Sequence, residues 1–251
     1  MSKVSIITIN KNNATGLDKT IRSVINQTFK EVEFIIIDGA SNDGSIDIIK
    51  QNEQNVTRWI SQDDSGIYNA MNKGIALATG EYVYFLNSGD CFINDNSLQS
   101  FFKNIQDDNE DFLIGNVLIN DKVLKIPNKL SLFYILNFGF SHQSFFIKRS
   151  VYQITGVYDE KYSIVADINH FILALVKFNM SYRYKDVLLT RIEPNGVSSH
   201  DLQRNFNQRE KFLLTEFPVL LKDYQDLLSY NKRDIFKRVF FFIKRKLTRN
   251  N

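Results

Sequence analysis

At 251 residues, the chain has room for one large α/β domain or for one domain with an appended segment. Its hydrophobic content of 43% and charged content of 24% are typical of a globular protein, and its 11 glycines and 3 prolines exclude a long fibrous or disordered region. The single cysteine, Cys91, excludes a disulfide framework and a cysteine-based zinc cluster, and it is compatible with a reducing cytoplasm.

The net charge of +3 hides an uneven distribution. Residues 231–251 contain eight Lys or Arg and one acid, Asp234, so this tail carries +7 and the remaining 230 residues carry −4. Because the basic character belongs to the tail, we expect no binding of nucleic acid. No apolar run reaches the ~20 residues that span a bilayer, and strand-like sequence starts at once, so we expect no transmembrane helix and no cleavable signal peptide.

The first ninety residues alternate between apolar strands and amphipathic helices. Strands are predicted at 4–9, 33–38, 56–61 and 81–86, and helices at 17–27, from 45 onward and at 66–78. Ile21, Val24 and Ile25 lie at helical spacing, whereas the centre of the second strand is entirely apolar. Continuous apolar strands alternating with helices predict βαβ units and an α/β, Rossmann-like, mostly parallel sheet.

After residue 90 the pattern is less regular. The sequence predicts a hairpin over 112–126 that turns near Asn120-Asp121, a strand at 144–147 and an extended segment at 182–192. Helices are predicted at 98–105, 166–178, 203–228 and 231–247. We interpret the chain as one domain, residues 1–215, followed by a helical extension, residues 216–251.

Ligands of open α/β sheets bind at the carboxyl ends of the strands. The loop after the first strand contains neither the G-x-G-x-x-G nor the G-x-x-x-x-G-K-[ST] pattern, which argues against a nicotinamide enzyme and a P-loop NTPase. The loops instead supply carboxylates and amides, which suit a nucleotide diphosphate only with a hard divalent cation between them. Asp90 follows the fourth strand and is the candidate ligand; the alternative is that Asp90 only caps its own turn.

Several segments together resemble the family 2 glycosyltransferases of the GT-A fold, particularly those that build bacterial surface polysaccharides. They are VSIITIN, SVINQTF, FIIIDGASNDGS, DDSGIYNAMNKGIALATGEYVYFLNSGD, HQSFFIKRSVY and ADINHF, and their order and spacing match as well. The resemblance covers about residues 3–215. It implies a GT-A-type sheet flanked by helices, in which residues 1–120 hold the nucleotide sugar and residues 121–215 the acceptor and the catalytic groups.

The resemblance also implies roles for residues of the first half. Thr8 and Asn10 match the loop that lines the nucleobase pocket, and Asp38 matches the carboxylate that binds the base or the ribose. Asp64 matches a second acidic position that contacts the nucleoside, and Lys73 lies in the segment that follows, near the nucleotide.

The acidic turn, Asn87-Ser88-Gly89-Asp90, corresponds to the aspartate-rich metal motif of the family. Asp90 stands at its metal-binding end, where Mn²⁺ or Mg²⁺ is expected, and Ser88 is assigned to substrate binding. Asn87 and Gly89 replace acids that relatives often carry, so we expect Asp90 to be the one direct protein ligand of the cation.

Asp167 resembles the catalytic acidic residue of the family, which serves as the general base toward the acceptor hydroxyl. An apolar stripe that includes Ile168 and Phe171 places Asp167 near a helix N-terminus, where the alternative is a carboxylate that only favours the helix dipole. His142 resembles a His-Gln pair found before a strand in relatives, and it is expected to face the donor diphosphate or the acceptor. A structural histidine is the alternative for His142, the expected role of His170, and the favoured role of His200.

The tail combines aromatic and basic residues at helical spacing, with Phe236, Phe240 and Ile243 on one face. Such a basic amphipathic helix either binds an anionic membrane surface or packs on the body or on another subunit of a homo-oligomer.

The predicted function is an inverting glycosyltransferase of the hexosyltransferase type. It would move a sugar from a nucleotide-diphosphate donor, expected to be a UDP-sugar, to a hydroxyl of a glycan or lipid-linked glycan in the cytoplasm or at the inner face of the membrane. A sugar nucleotidyltransferase is the alternative enzyme, but the chain lacks the Gly-rich triphosphate loop. A non-catalytic binding protein of the same fold is the third interpretation, against which the presence of both Asp90 and Asp167 argues.

Overall fold

A computed structural model of the chain describes residues 3–103, 109–131, 133–135, 141–193 and 202–229. The chain divides into two compact units, residues 1–205 and residues 206–251. The basic tail at 231–251 and His200 lie outside the described residues, so the predictions made for them remain predictions. Within the described part of the chain, no helix combines the length and the apolar character needed to cross a membrane.

Four parallel strands form the first half of the sheet in the order β3-β2-β1-β4. They are β1 (Val4–Asn10), β2 (Val32–Asp38), β3 (Arg58–Ser61) and β4 (Tyr82–Phe85). The helices between them are α1 (Ala14–Ile25), α2 (Ser45–Gln51) and α3 (Ile67–Leu77), and a 3₁₀ turn spans Glu53–Asn55. Every residue of β1 and β4 is buried, as expected for strands covered on both faces.

The sheet continues beyond β4 in the order β8-β6-β9-β5, and β7 pairs with β6. These strands are β5 (Cys91–Phe92), β6 (Phe112–Ile119), β7 (Lys122–Leu124), β8 (Phe145–Lys148) and β9 (Tyr182–Ile192). β8 is antiparallel to both β4 and β6, whereas β9 is parallel to β6. Asn120 and Asp121 join β6 to β7 with φ values of 49° and 58°, the conformation of a tight hairpin turn. The predicted α/β class is confirmed.

The remaining helices of the first unit are α4 (Ser97–Phe101), α5 (Arg149–Thr155) and α6 (Ala166–Val176). The sequence pattern does not predict α5, because its seven residues are too few for a clear helical periodicity. The helical stretch predicted at 203–228 consists of two helices, α7 (Leu202–Glu216) and α8 (Pro218–Ser229). The interruption occurs at Phe217 because Pro218 has no backbone N–H, which suits the first position of a new helix.

Stacked aromatic rings attach the second half of the sheet to the first. The ring of Tyr84 on β4 lies 4.3 Å from that of Phe146 on β8, and the Phe146 ring lies 4.7 Å from that of Phe101 on α4. The Tyr84 hydroxyl donates to the backbone oxygen of Gln143 at 2.7 Å. This packing places the segment before β8 beside the carboxyl end of β4.

His170 lies inside α6, where only 5% of its surface is exposed. Its Nε2 lies 2.7 Å from the Thr155 hydroxyl and 3.1 Å from the backbone oxygen of Gly156, and its ring stacks on Tyr152. Burial lowers the pKa of His170 from 6.5 to about 4. The structure therefore favours the neutral imidazole, in agreement with a structural role.

We expect His170 to make the stability of the protein depend on pH. In the unfolded chain the imidazole binds a proton near pH 6.5, so stability falls as the pH decreases from about 6.5 to about 4, by roughly 3 kcal/mol. The melting temperature of the wild type should therefore decrease more between pH 7.5 and pH 4.5 than that of His170→Gln. Equal decreases in the two proteins would show that His170 does not carry this effect.

Candidate active site

The turn after β4 is fastened to α1. The backbone N–H of Gly89 donates to the Thr20 hydroxyl at 3.0 Å, and that hydroxyl lies 2.7 Å from the backbone oxygen of Asp90. Gly89 has a φ of 103°, a conformation that glycine adopts without strain. Ser88 and Asn13 exchange two hydrogen bonds of 3.2 Å between side chains and backbone oxygens. The turn thus holds Asp90 at the carboxyl end of β4, beside β1, where the order of the strands in the sheet reverses direction.

Asp90 is almost completely buried, with 4% of its surface exposed. Gln143 Nε2 donates to its Oδ2 at 2.7 Å, and the backbone N–H of Glu193 donates to its Oδ1 at 2.8 Å. Burial raises the pKa of Asp90, although these two hydrogen bonds oppose the shift. Each carboxylate oxygen has two acceptor positions, so the group retains capacity for a further ligand.

A divalent cation could bind here with Asp90 as its one carboxylate ligand. Among the described residues, no group of three or more His, Cys, Asp or Glu side chains is arranged to hold a metal ion. Mg²⁺ in nucleotide sites, however, often binds one or two carboxylates and completes its shell with phosphate oxygens and water. The single carboxylate of Asp90 is compatible with that mode of binding.

Asp38 lies at the carboxyl end of β2 and is completely buried. Its oxygens accept hydrogen bonds from Asn10 Nδ2, from the hydroxyls of Ser41 and Ser61, and from the backbone N–H of Ser41, at 2.6 to 2.9 Å. Burial alone would raise the pKa of Asp38, but the serine hydroxyls and the other donors outweigh it and the pKa is lowered. Asp38 therefore links the carboxyl ends of β1, β2 and β3 through buried hydrogen bonds.

Asp64 is the partly exposed carboxylate of the same region. Its Oδ1 accepts from the backbone N–H of Gly66 at 3.1 Å, and its Oδ2 would lie 2.3 Å from a Cβ atom at position 39. Only a glycine leaves room for this approach. Gly39 is not among the residues predicted for the site, although a glycine directly after the strand-end aspartate is a signal for it in the sequence.

Two other predicted substrate residues make contacts within the protein. The Thr8 hydroxyl is buried and donates to the backbone oxygen of Leu86 at 2.7 Å, which ties β1 to the end of β4. Lys73 Nζ donates to the backbone oxygen of Asp63 at 2.8 Å and supports the loop that carries Asp64.

His142 and Asp167 form a hydrogen-bonded pair. His142 lies in the 3₁₀ turn His142–Ser144 before β8, and its Nδ1 is 2.9 Å from Asp167 Oδ2 at the start of α6. On the other side of the ring, Nε2 lies 3.0 Å from Asn87 Nδ2 in the acidic turn. The side chains of His142 and Asp167 are 15% and 13% exposed, so the pair is largely shielded from solvent.

Tyr68 on α3 completes the surroundings of Asp167. Its hydroxyl lies 2.8 Å from Asp167 Oδ1 and 2.7 Å from the backbone oxygen of Ile164. Burial and the nearby carboxylate raise the pKa of Tyr68 well above 10.0, so the hydroxyl stays protonated. Burial of Asp167 favours its neutral form, but hydrogen bonds from His142 and Tyr68 prevail and lower its pKa. Asp167 is therefore a carboxylate at neutral pH.

The dipeptide His142-Gln143 joins the two predicted acidic groups. His142 binds Asp167, and Gln143 binds Asp90. His142 is among the predicted site residues, whereas Gln143, Tyr68 and the role of Asn87 are not; the His-Gln pair is the signal in the sequence for Gln143. Asp167, 25 positions from His142, and Asp90, 53 positions from Gln143, thus meet in one hydrogen-bonded network.

Solved structures that superpose on this chain identify its fold. The structure of S. aureus TarS 1–349 in complex with UDP-GlcNAc superposes with a TM-score of 0.68 at 16% identity, over 85% of this chain and 67% of that one. In the complex of TarS 1–349 with UDP, the match spans 66% of that chain. A mannosyltransferase from Pyrobaculum calidifontis with GDP-Man and Mn²⁺ gives a TM-score of 0.63 at 15% identity, over 88% and 64% of the two chains. The fold is that of the GT-A glycosyltransferases.

The chain belongs to glycosyl transferase family 2, whose family model matches residues 5–182. An uncharacterized glycosyltransferase of Mycobacterium tuberculosis is 32% identical over 206 residues, which are 78% of this chain and 77% of the relative. A PGL/p-HBAD biosynthesis glycosyltransferase of Mycobacterium bovis is 26% identical over 82% of each chain. The protein is thus a glycosyltransferase, as predicted.

Proposed function

We propose that this glycosyltransferase moves a sugar, with inversion at its anomeric carbon, from a UDP-sugar to a hydroxyl of a glycan or lipid-linked glycan in the synthesis of a bacterial surface polysaccharide. The observation that carries the proposal is the network in which His142-Gln143 joins Asp90 and Asp167. It combines a carboxylate suited to the donor diphosphate with a group suited to deprotonating the acceptor. The structural neighbours solved with UDP, UDP-GlcNAc and GDP-Man support a nucleotide-sugar donor.

The donor would lie along the carboxyl ends of β1, β2 and β4. Asp64, partly exposed above Gly39, would bind the nucleoside, with Asn10 and Lys73 beside it. Asp38 and Thr8 would not contact the donor but would hold in place the loops that do. Ser88 would face the diphosphate. This division follows burial, because Asp38 and Thr8 have no exposed surface.

Asp90 would hold a divalent cation, Mn²⁺ or Mg²⁺, against the diphosphate. Such an ion, when bound, supplies positive charge that stabilises the departing nucleoside diphosphate. Gln143 and the backbone of Glu193 orient the Asp90 carboxylate from the protein side. The mannosyltransferase solved with Mn²⁺ supports the use of a cation.

Thermal stability tests the donor and cation proposals together. A panel of UDP-, GDP- and other nucleotide sugars should raise the melting temperature only for one donor class and more with Mn²⁺ than without it, since a ligand at 100 times its Kd adds ~2.7 kcal/mol. Asp90→Asn should lose the Mn²⁺-dependent part of the shift. No shift with any donor would contradict the proposed function, and an unchanged Mn²⁺ effect in Asp90→Asn would contradict the cation site.

Turnover tests the importance of Asp167. Asp167→Asn should lower turnover by a factor of ~10² or more, the usual contribution of base catalysis, while the donor-induced thermal shift stays close to that of the wild type. Steady-state kinetics with the donor identified above provide the measurement. Near-normal turnover would reject Asp167 as part of the base.

We further propose that the enzyme works in the cytoplasm and that the basic tail holds it on the inner face of the membrane. Each Lys or Arg near an anionic surface contributes about 1 kcal/mol, and the tail has eight of them. Vesicles containing anionic lipid should therefore sediment the full chain much more than a chain that ends at residue 230. Equal sedimentation would favour the alternative, in which the tail packs on the body or on another subunit of a homo-oligomer.

A further inference from the structure

The hairpin of β6 and β7 lies at the same edge of the sheet as the active site. Because β8 is antiparallel to both β4 and β6, the carboxyl ends of β4 and β6 lie at one edge. The hairpin starts at that end of β6, where Ile119 pairs with Lys122. The neighbouring strand β9 pairs with β6 as far as Ile192, and the next residue, Glu193, donates its backbone N–H to Asp90. The hairpin therefore extends from the edge that carries the candidate cation ligand.

Large apolar side chains are exposed on β7 and in the segment that follows it. The exposed fractions of Val123, Leu124 and Phe133 are 45%, 36% and 51%. Within the described part of the chain, β7 pairs with no strand other than β6, so it lies at a margin of the sheet. Proteins usually cover or charge such margins, and apolar side chains left exposed there indicate a surface that another partner covers.

The segment after β7 runs back along the sheet. The backbone N–H of Ile126 donates to Asn116 Oδ1 at 3.3 Å, and the backbone N–H of Leu130 donates to the Tyr182 hydroxyl at 2.8 Å. Tyr182 pairs with Phe112, four residues before Asn116, so the two points of attachment are about 13 Å apart along β6. Side chains spread over this length suit a flat partner better than one small ligand.

The same surface is basic. It carries three exposed lysines, which are Lys122, Lys125 and Lys129. The sequence contains no Asp or Glu between Asp121 and Asp159. Asp121 is paired with Arg191 at 2.8 Å, and Asp186 lies 3.6 Å from Lys125 Nζ. The surface thus combines positive charge with aliphatic and aromatic side chains.

This combination distinguishes between partners. Lysines beside exposed aliphatic side chains match the two layers of a membrane surface, the anionic headgroups and the acyl chains beneath them. A nucleic acid or a soluble anionic glycan would contact the lysines and leave Val123 and Leu124 in water. We use the name β7 flank for the exposed residues Lys122, Val123, Leu124, Lys125, Lys129 and Phe133.

We propose that the β7 flank docks on an anionic membrane surface and holds the active-site edge of the sheet at the bilayer. The inference rests on the proposed function, in which the acceptor is a lipid-linked glycan. The apolar side chains enter the boundary between headgroups and acyl chains, and the lysines lie among the anionic headgroups. Because the flank and the basic tail belong to one chain, binding of either raises the effective concentration of the other at the surface.

The fluorescence of a single tryptophan reports on the flank separately from the tail. The chain has one tryptophan, Trp59 on β3, and four strands lie between β3 and β6 in the sheet. In the full chain, Val123→Trp combined with Trp59→Phe leaves one indole, on the β7 flank. With vesicles of phosphatidylglycerol and phosphatidylcholine, we expect its emission to shift to shorter wavelength and to be quenched by doxyl-labelled lipid. The emission of Trp59 in the wild type should show neither change.

Val176→Trp, also combined with Trp59→Phe, is the matched control. Val176 is an exposed valine in the last turn of α6, after which the chain enters β9 at its amino end, opposite the active-site edge. Its indole should stay in water. Should Val123→Trp prevent folding, Leu124→Trp takes its place.

Substitution of the lysines tests the charge of the partner. Lys122→Gln, Lys125→Gln and Lys129→Gln together, added to the Val123→Trp protein, should raise the vesicle concentration at half-maximal spectral shift by a factor of ~10 to 10², since each lysine near an anionic surface contributes roughly fivefold. An unchanged midpoint, or an equal shift with vesicles of phosphatidylcholine alone, would reject an anionic membrane as the partner.

Absence of a spectral change at positions 123 and 124, whether or not the vesicles sediment the protein, would overturn the proposal. An equal change in the Val176→Trp protein would indicate nonspecific adsorption and would overturn it too. The donor-induced thermal shift, measured without lipid, separates these results from failure of the proposed function. If the wild type shows that shift, the proposed function stands without the β7 flank; if it shows none with any donor, the proposed function itself is contradicted.

Discussion

The pairing of β8 with β4 is the constraint on which the site depends. β8 runs antiparallel to β4, so the segment before β8 comes to the carboxyl end of β4, where the acidic turn begins. There Gln143 binds Asp90 and His142 binds Asp167, while stacked Tyr84 and Phe146 hold the two strands in place. Because this contact is buried and aromatic, the network has a rigid support, and small displacements of its side chains are costly in a close-packed interior.

Asp38 and Asp90 are buried and Asp167 is largely shielded from solvent, yet the pKa shifts of these three carboxylates differ in direction. Asp38 accepts four hydrogen bonds from within the protein, and Asp167 is held by His142 and Tyr68; in both, the donors outweigh burial and lower the pKa. In Asp90, two donors do not outweigh burial, and the pKa is raised. Of the three carboxylates, Asp90 has the charged form that hydrogen bonds within the protein stabilise least. A nearby positive charge would therefore stabilise it most, which agrees with the cation proposed at Asp90.

Membership of glycosyl transferase family 2 and the GT-A fold establish the class of reaction, but they do not distribute roles among the polar residues. That distribution comes from burial and from hydrogen-bond direction. Asp38 and Asp64 belong to the same edge of the sheet, yet only Asp64 has exposed surface. In the same way, one ring nitrogen of His142 binds the carboxylate of Asp167, and the other faces the acidic turn.

Sequence alone determined the alternation of strands and helices to residue 86, because burial on both faces of a strand and one face of a helix leaves a local apolar pattern. It also identified Asp90, His142 and Asp167 as candidate residues of the active site. Only the tertiary structure decided that β8 inserts between β4 and β6, that Gln143 reaches Asp90, and that Asp38 is sealed from solvent. These features depend on contacts between residues distant in the chain, and no local periodicity records which distant strands pair.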